Sequence, residues 1–154
     1  MTTAPTVPGP VRVRVPAKVN LELLVGPRRP DGYHGLATVY QAVSLFDEVT
    51  LAAADRWGCT VTGPLAAGVP TDGANLALRA ARLLAERFDG DPVHVTITKG
   101  IPVAGGMAGG SADAAATIVG LDHLWNLGLE RDELEEVAAE LGSDVPFLVA
   151  GGTA

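Results

Sequence analysis

The spacing of apolar and polar residues in the first sixty positions predicts a series of strands. Residues 11–15 alternate with period two, and a second extended segment resumes over residues 19–25 after Pro16 interrupts the pattern. Three short runs rich in β-branched or aromatic residues follow, at 36–45, 48–54 and 57–62. We expect these segments to form one largely antiparallel sheet, with a loop over residues 26–35.

The period changes from residue 75 onward, where helices alternate with further strands. An amphipathic helix with Asn75 as its N-cap is predicted because five apolar side chains share one helical face: Leu76, Ala80, Leu83, Leu84 and Phe88. Residues 93–99 alternate as a strand. Later segments predict an alanine-rich helix over 111–127, a helix over 131–141 and a final strand over 147–150. Strands and helices together indicate the α+β class.

Length and composition indicate one folded domain. The chain has 154 residues, of which 47% are hydrophobic, so it can bury enough apolar surface to offset its chain entropy. Threonine and proline are frequent in residues 1–10, which we expect to be a flexible tail ahead of a domain over residues 11–154.

Charge and cysteine content narrow the possible partners and the compartment. The net charge is −7 and no cluster of lysine or arginine makes a basic face, so nucleic acid and anionic membranes are poor candidate partners. The single Cys59 cannot form an internal disulfide, and the sequence shows no export signal and no run of about 18 apolar residues. We therefore expect a cytoplasmic protein.

A glycine-rich segment over residues 102–111 joins a predicted strand to a predicted helix. Its backbone N–H groups can approach a ligand closely, and the following helix adds free donors and a positive dipole end, so phosphate is the natural ligand. Ser111 would lie near the N-cap, where its hydroxyl either caps the helix or reaches a phosphate or its Mg²⁺. Because Ser111 stands where a Walker A motif needs lysine, the segment is not a P-loop. The alternative is that glycine and alanine here permit tight packing of the helix on the sheet.

Lys18 and Asp144 are candidates for phosphoryl-transfer chemistry. Lys18 lies between two apolar strand segments, and Asn20 projects to the same face of a strand, so the two could present a cation and an amide to one ligand. Transfer to a hydroxyl needs a carboxylate that orients or deprotonates the nucleophile, and a lysine beside it would help to neutralise the migrating phosphoryl group. The alternatives are an edge-strand lysine for Lys18 and a local turn cap for Asp144.

The loop that contains Tyr33 and His34 suits recognition of a flat polar ring by stacking and hydrogen bonding. The alternative is a turn at Asp31 and Gly32 followed by a buried tyrosine. No third donor at suitable spacing accompanies Tyr33 and His34, so this loop does not predict a metal site.

Five motifs follow one another along the chain: Pro-Ala-Lys-Val-Asn-Leu at 16–21, Arg-Pro-Asp-Gly-Tyr-His at 29–34, the segments 75–84 and 99–115, and Gly-Ser-Asp-Val-Pro-Phe at 142–147. Together they resemble the galactokinase, homoserine kinase, mevalonate kinase and phosphomevalonate kinase (GHMP) family, and within it the kinases that act on CDP-methylerythritol. The resemblance implies the amino-terminal, ATP-binding domain of this family, with a fold like domain 2 of ribosomal protein S5. It also implies ATP and Mg²⁺ as cofactors, and phosphorylation of a hydroxyl of CDP-methylerythritol on the non-mevalonate route to isoprenoid precursors.

The resemblance also implies roles for individual residues. Asp144 would be the catalytic base, with Lys18 as its partner. Asn20, Tyr33 and His34 would hold the substrate, with cytidine packed on Tyr33 and hydrogen-bonded to His34. Tyr40 would be an aromatic residue that lines the same substrate-binding pocket. Ten residues would bind ATP: Asn75, Lys99, Pro102, Gly105, Gly106, Met107, Ala108, Gly109, Gly110 and Ser111. Asn75 and Lys99 would lie near the adenosine, and residues 105–111 would surround the phosphates. The ligands of the metal are not implied.

Two departures from the family pattern accompany the resemblance. Ser111 is followed by Ala112 where the family often has a second hydroxyl residue, so one possible phosphate or Mg²⁺ contact is missing. Kinases of this type also have a carboxy-terminal domain that closes the substrate cleft, and we expect that domain to be absent from this chain. Two alternatives stay open: a kinase of this fold for homoserine, mevalonate or another small alcohol, and a nucleotide-binding module without turnover. Tyr33 and His34 favour a nucleobase over an aliphatic alcohol.

Overall fold

The computed structural model describes residues 8–154, which form a four-stranded sheet and four helices. The strands are β1 (Val11–Arg28), β2 (His34–Ala53), β3 (Gly58–Thr62) and β4 (Val93–Thr98), and the helices are α1 (Leu76–Phe88), α2 (Gly109–Leu124), α3 (Arg131–Ala139) and α4 (Val145–Ala150). The α+β class is confirmed. Of the predicted tail, residues 1–7 lie outside the described part of the chain, and residues 8–10 are exposed without regular structure.

The sheet has the strand order β1-β2-β4-β3 and is mixed but mostly antiparallel, as predicted. β2 runs antiparallel to both β1 and β4, whereas β3 runs parallel to β4. β1 and β2 extend beyond their junction with β4, so that residues 16–46 form a long two-stranded ribbon. This ribbon carries several of the predicted site residues.

Two pairs of predicted strands turn out to be single strands. The segments at 11–15 and 19–25 join in β1, because the pairing with β2 shifts its register after Pro16 and then continues. Proline is tolerated there because β1 is an edge strand. The segments at 36–45 and 48–54 join in β2, because Asp47 pairs with Val15 inside the ladder instead of ending a strand.

The core lies between the sheet and the helices. β4 contributes Val93, Val95 and Ile97, each with no exposed surface, and most residues of α2 are buried. A side chain at Gly120 of α2 would overlap Leu51 of β2. The small residues of α2 therefore let the helix pack directly on the sheet, which positions the glycine-rich segment at its start.

α1 begins at the predicted residue. The Asn75 side-chain oxygen accepts hydrogen bonds from the N–H groups of Ala77 and Leu78 at 2.9 and 3.3 Å, so Asn75 is the N-cap. These bonds satisfy two of the donors that a helix start leaves free.

The run at 147–150, predicted as a strand, belongs instead to the helix α4. A short apolar run looks the same in a buried strand and a buried helix, and Pro146 in the first turn favours the helix. After α4 the chain adds to the sheet: the backbones of Tyr40 and Ala154 exchange hydrogen bonds of 2.7 and 3.1 Å, and Ala42 N–H donates to Gly152 at 2.9 Å. The sequence pattern did not predict this pairing.

Candidate active site

The structure brings Lys18 of β1 and Asp144, just before α4, into one cluster. The Lys18 ammonium lies 4.0 Å from Asp144 Oδ2 and donates a hydrogen bond to Asn20 Oδ1 at 2.7 Å. Lys18 is only 5% exposed, so it is not a solvent-facing edge lysine. Asp144 stands at the N-cap position of α4, but its side chain makes no capping bond to that helix. Neither side chain therefore has the surface or capping role that the structural alternatives gave it.

Tyr40 of β2 completes this cluster. Its hydroxyl donates a 2.7 Å hydrogen bond to Asp144 Oδ1, and its ring stacks on Phe147 with 4.9 Å between ring centroids. The Lys18 ammonium lies 5.4 Å from the centroid of the Tyr40 ring. Burial, and then the hydrogen bond to Asp144, raise the pKa of Tyr40 to about 12. The phenol is therefore a stable hydrogen-bond donor at neutral pH.

A chain of hydrogen bonds supports Lys18 along the ribbon. Asn20 accepts from Lys18 and donates through Nδ2 to Thr38 Oγ1 at 2.7 Å, and the Thr38 hydroxyl donates to the carbonyl of Glu22 at 2.7 Å. Because the amide of Asn20 bonds on both sides, its orientation is fixed. Thr38 was missed from the sequence, although it stands two residues before Tyr40 on the same strand and therefore on the same face.

The glycine-rich segment folds as a backbone cradle ahead of α2. Ala104, Gly106 and Ala108 all adopt left-handed conformations, with φ of 58°, 70° and 56°. Alternation with left-handed residues turns successive N–H groups toward one concavity, which suits an anion. α2 begins at Gly109 with Ala108 as its N-cap, so Ser111 is the third helical residue and does not cap the helix. The predicted helix start at residue 111 was therefore two residues late.

The cradle is attached directly to the Lys18 cluster. The backbone N–H of Lys18 donates to the carbonyl of Met107 at 3.3 Å. The ammonium that faces Asp144 and the loop that suits phosphate are thus carried by adjoining stretches of backbone.

A cleft beside the loop collects half of the residues predicted to bind ATP. Its walls include Asn75, Lys99, Pro102, Gly109 and Gly110. Further wall residues were not predicted: Gly68, Val69, Pro70, Ala74, Leu76, Val103, Ala104 and Asp113. The other predicted residues belong to the loop or to the first turn of α2 and do not line this cleft: Gly105, Gly106, Met107, Ala108 and Ser111.

Lys99, at the floor of the cleft, is buried between two carboxyl groups. Its ammonium pairs with Asp47 and lies 3.0 Å from Asp113 Oδ2, and all three residues are at most 2% exposed. Asp47 Oδ1 also accepts hydrogen bonds from the N–H groups of Gly100 and Ile101, at 2.7 and 2.9 Å. The cluster therefore ties both ends of the glycine-rich segment together. An acid inside the alanine-rich α2 was the sequence signal for Asp113.

Asp113 is unusual within this cluster because one of its carboxyl oxygens, Oδ1, is buried without a hydrogen-bond partner. Burial is the main cause that raises the pKa of Asp113 to about 8, and the nearby Asp47 raises it further, while Lys99 acts in the opposite direction. One lysine therefore does not offset two buried carboxylates. The raised pKa favours the protonated form of Asp113, and a proton there would leave the cluster close to electrically neutral.

Tyr33 and His34 lie at the far end of the ribbon, away from the Lys18 cluster. Tyr33 is 73% exposed, which contradicts the alternative of a buried tyrosine. His34 Nδ1 hydrogen-bonds with the carbonyl of Gly26 at 2.8 Å, which orients the ring. With about 3.3 Å per strand residue, six residues separate His34 from Tyr40 by roughly 20 Å. The two groups of predicted substrate residues therefore lie at opposite ends of one strand pair.

Two further properties concern residues 8–154 as a whole. No group of three or more histidine, cysteine, aspartate or glutamate side chains in that range could hold a metal ion. No helix in it is long and apolar enough to cross a membrane.

Comparison with known proteins identifies the family. The family model described as "GHMP kinases N terminal domain" matches residues 75–152, which is half of the chain. The chain belongs to the GHMP kinase family.

Within that family, the chain is similar to 4-diphosphocytidyl-2-C-methyl-D-erythritol kinases. It is 60% identical to the one from Saccharopolyspora erythraea over 96% of this chain and 48% of the relative, and 64% identical to the one from Kineococcus radiotolerans over 94% and 46%. A crystal structure of 4-(cytidine 5'-diphospho)-2C-methyl-D-erythritol kinase superposes with a TM-score of 0.74 at 38% identity, over 93% of this chain and 50% of that one. The chain thus spans about half the length of the relatives it matches.

Mevalonate pyrophosphate decarboxylase from Streptococcus pyogenes has the same fold at a much lower sequence identity. Its structure superposes with a TM-score of 0.72, over 97% of this chain and 48% of that one, at only 13% identity. At that identity the likeness concerns the fold alone.

Proposed function

We propose that this chain is the ATP-binding and catalytic part of a kinase that transfers phosphate to a hydroxyl of CDP-methylerythritol, a step in the non-mevalonate supply of isoprenoid precursors. The observation that carries the proposal is the Lys18–Asp144 pair, with 4.0 Å between Nζ and Oδ2, joined to the glycine-rich cradle through the Lys18 backbone. This pair supplies a base and a cation beside a phosphate-binding loop, which are the groups that phosphoryl transfer to an alcohol requires.

Asp144 would orient the acceptor hydroxyl and take its proton. Its side chain is 29% exposed, so an acceptor hydroxyl can reach it, while Oδ1 is held by Tyr40. Lys18, whose side chain is only 7% exposed, would remain fixed by Asn20. From there its charge would stabilise the negative charge that develops on the transferred group.

ATP fits the loop and the cleft beside it. The left-handed residues Ala104, Gly106 and Ala108 and the start of α2 give a concave set of N–H donors for phosphates. The adenosine would lie in the cleft lined by Asn75 and Lys99. Mg²⁺ in such enzymes is held largely by the phosphates and neutralises their charge. Among the residues of the first turn of α2, the Ser111 hydroxyl is the candidate protein ligand.

The substrate would extend along the ribbon. Its cytosine ring would stack on the exposed Tyr33 beside His34, and its erythritol hydroxyl would reach Asp144 near the other end. A nucleoside diphosphate joined to a four-carbon alcohol is long enough to use sites that lie far apart on one strand pair, whereas homoserine and mevalonate are too short. The names of the relatives at 60% and 64% identity support the same substrate.

The organisation around this domain also belongs to the proposal. Residues 11–154 would form the ATP-binding domain, and a region that corresponds to the remaining half of the relatives would complete the substrate cleft. The protein would act in the cytoplasm, where ATP is available, with small molecules as partners and no nucleic acid or membrane.

The proposal can be tested with a chimera that joins this chain to the carboxy-terminal half of the Saccharopolyspora erythraea relative. We expect ADP release, followed in a coupled assay, with CDP-methylerythritol and not with homoserine or mevalonate. Asp144→Asn should reduce turnover at least about a hundredfold with little change in ATP affinity, because the lost group acts on the alcohol. Near-normal turnover of Asp144→Asn, or activity only on the shorter alcohols, would contradict the proposal.

A further inference from the structure

The Tyr40 hydroxyl makes its hydrogen bond to the one carboxylate that the proposed reaction uses as a base. Donor and acceptor are 104 residues apart in sequence, and the 2.7 Å distance is typical of a strong hydrogen bond to a charged oxygen. Sequence similarity assigns Tyr40 only an aromatic place in the substrate pocket. The hydroxyl group has no role in that assignment.

The two oxygens of Asp144 have different surroundings. Oδ1 accepts the phenol hydrogen bond, whereas Oδ2 faces the Lys18 ammonium at 4.0 Å, which is longer than a hydrogen bond. Lys18 instead directs its hydrogen bond to Asn20. Oδ2 therefore keeps free acceptor capacity beside a positive charge.

We propose that Tyr40 is a positioning residue: its hydroxyl holds Asp144 Oδ1 and thereby reserves Oδ2 as the oxygen that receives the proton of the acceptor hydroxyl. This inference rests on the proposed kinase function. In the step, the hydroxyl O–H bond breaks as its oxygen attacks the γ-phosphorus, the proton passes to Oδ2, and ADP leaves with the electrons of the broken P–O bond. No further reactant is required.

The surroundings of Tyr40 fit a positioning role because the residue is fixed on every side. Its backbone exchanges two hydrogen bonds with Ala154 and lies opposite Asn20 in the β1–β2 ladder. Its ring is held by the stack on Phe147, which belongs to α4, the helix that Asp144 precedes. A donor fixed in this way selects one side-chain rotamer of Asp144, which lowers the entropy lost on reaching the reactive geometry.

Tyr40→Phe removes only the hydroxyl and keeps the ring stack, so it tests the hydrogen bond. In the chimera we expect kcat with CDP-methylerythritol to fall about tenfold or more, with KM for ATP unchanged, because the lost contact acts on the base and not on the nucleotide. The melting temperature of each variant, followed by circular dichroism, controls for the fold. Unchanged kcat with an intact fold would overturn the inference while leaving the kinase function standing.

A second measurement tests the contact without any activity. The chain has two tyrosines, so Tyr33→Phe leaves Tyr40 as the sole phenol, and its ionisation can be followed by NMR of a ¹³Cζ label. Adding Asp144→Asn should lower the pKa of Tyr40 from about 12, although burial should keep it above 10. An unchanged phenol titration would overturn the inference. If the titration shifts but the chimera does not phosphorylate CDP-methylerythritol, the proposed function has failed, and the assignment of Oδ2 as its base fails with it.

Discussion

Replacing Asp113 by asparagine tests whether the buried cluster at the floor of the cleft carries a proton. The carboxyl group is 2% exposed, shares Lys99 with Asp47 and leaves Oδ1 without a partner. Asparagine has nearly the same shape as the protonated acid but cannot ionise. The substitution therefore removes one titration and leaves the packing of α2 nearly intact.

The magnitude follows from the difference between the folded and unfolded pKa values. The pKa of Asp113 is about 8 in the folded chain and 3.8 in the absence of burial. Between these values the folded state holds a proton that the unfolded state has released, so the free energy of unfolding falls as pH rises. The slope is at most about 1.4 kcal/mol per pH unit, which amounts to at most roughly 6 kcal/mol over the window. This stabilisation is complete below about pH 4 and lost above about pH 8.

Urea denaturation of the parent and of Asp113→Asn, followed by tryptophan fluorescence between pH 5 and pH 9, measures this effect. The unfolding free energy of Asp113→Asn, relative to that of the parent, should increase by several kcal/mol as pH rises and then become constant above pH 8. Taking the difference cancels the other titrating groups. Asp91→Asn makes the same chemical change at an exposed position and controls for the loss of one negative charge. Stability curves that stay parallel across the range would refute the raised pKa of Asp113.

Two further predictions separate packing from ligand binding. Asn75→Ala should lower the free energy of unfolding by about 1 kcal/mol because it removes the cap of α1, whereas Asn75→Asp keeps a capping oxygen. If ATP binding needs the Asn75 amide, calorimetry should show weaker ATP affinity for both variants. Gly109→Val should destabilise the chain by about 1 to 3 kcal/mol, because a Cβ at residue 109 would lie 3.0 Å from Lys99 Nζ. A Cβ at residue 110 would meet no atom within 4 Å, so Gly110→Val should weaken ATP binding without loss of stability. Equal stability of the two valine variants in urea denaturation would refute the second prediction.

The contrast between Gly109 and Gly110 separates the two explanations of the glycine-rich segment. Packing explains glycine at 109, where a side chain would meet Lys99 and Ile101, whereas Gly110 borders the cleft with open space around it, so close approach of a ligand stays the prediction at Gly110. A sequence pattern cannot divide these roles, because the neighbours that exclude a side chain at Gly109 belong to the segment just after β4.

Elements with a sustained period were predictable. The observed bounds of α1, with its N-cap Asn75, and of β4 agree with the predicted bounds within one or two residues. Both elements have one buried and one exposed face, which gives their sequences a clear period. α4 was not predictable, because its six residues are all apolar and carry no period, and their conformation depends on packing against α2 and α3. Strand pairing by residues 152–154 likewise depends on an unpaired edge of β2 that no local pattern reveals.

Some features of the site can likewise be recognised from local sequence motifs, whereas others depend on contacts between residues far apart in the sequence. The motifs around Lys18 and Asp144 can be recognised in the sequence, but the hydrogen bond from Tyr40 joins positions 104 residues apart. The prediction of separate strands at 36–45 and 48–54 left Asp47 between them, because an acid between apolar runs usually ends a strand. Its actual role depends on Lys99, 52 residues away, which provides the charge that makes its burial possible.

Exposure distinguishes the two lysine clusters that flank the glycine-rich segment. The side chains of Lys99 and Asp47 are at most 2% exposed and that of Asp113 is 3% exposed, so the two carboxyl groups around Lys99 present almost no surface, although Lys99 and Asp113 border the cleft. Asp144 pairs with an almost equally buried lysine, Lys18, but its own side chain is 29% exposed. A general base must be within hydrogen-bond reach of the proton that it takes. Of these carboxyl groups, Asp144 is the most exposed and is therefore the one we propose as the base, while the Lys99 cluster is suited to holding the ends of the glycine-rich segment at a fixed separation.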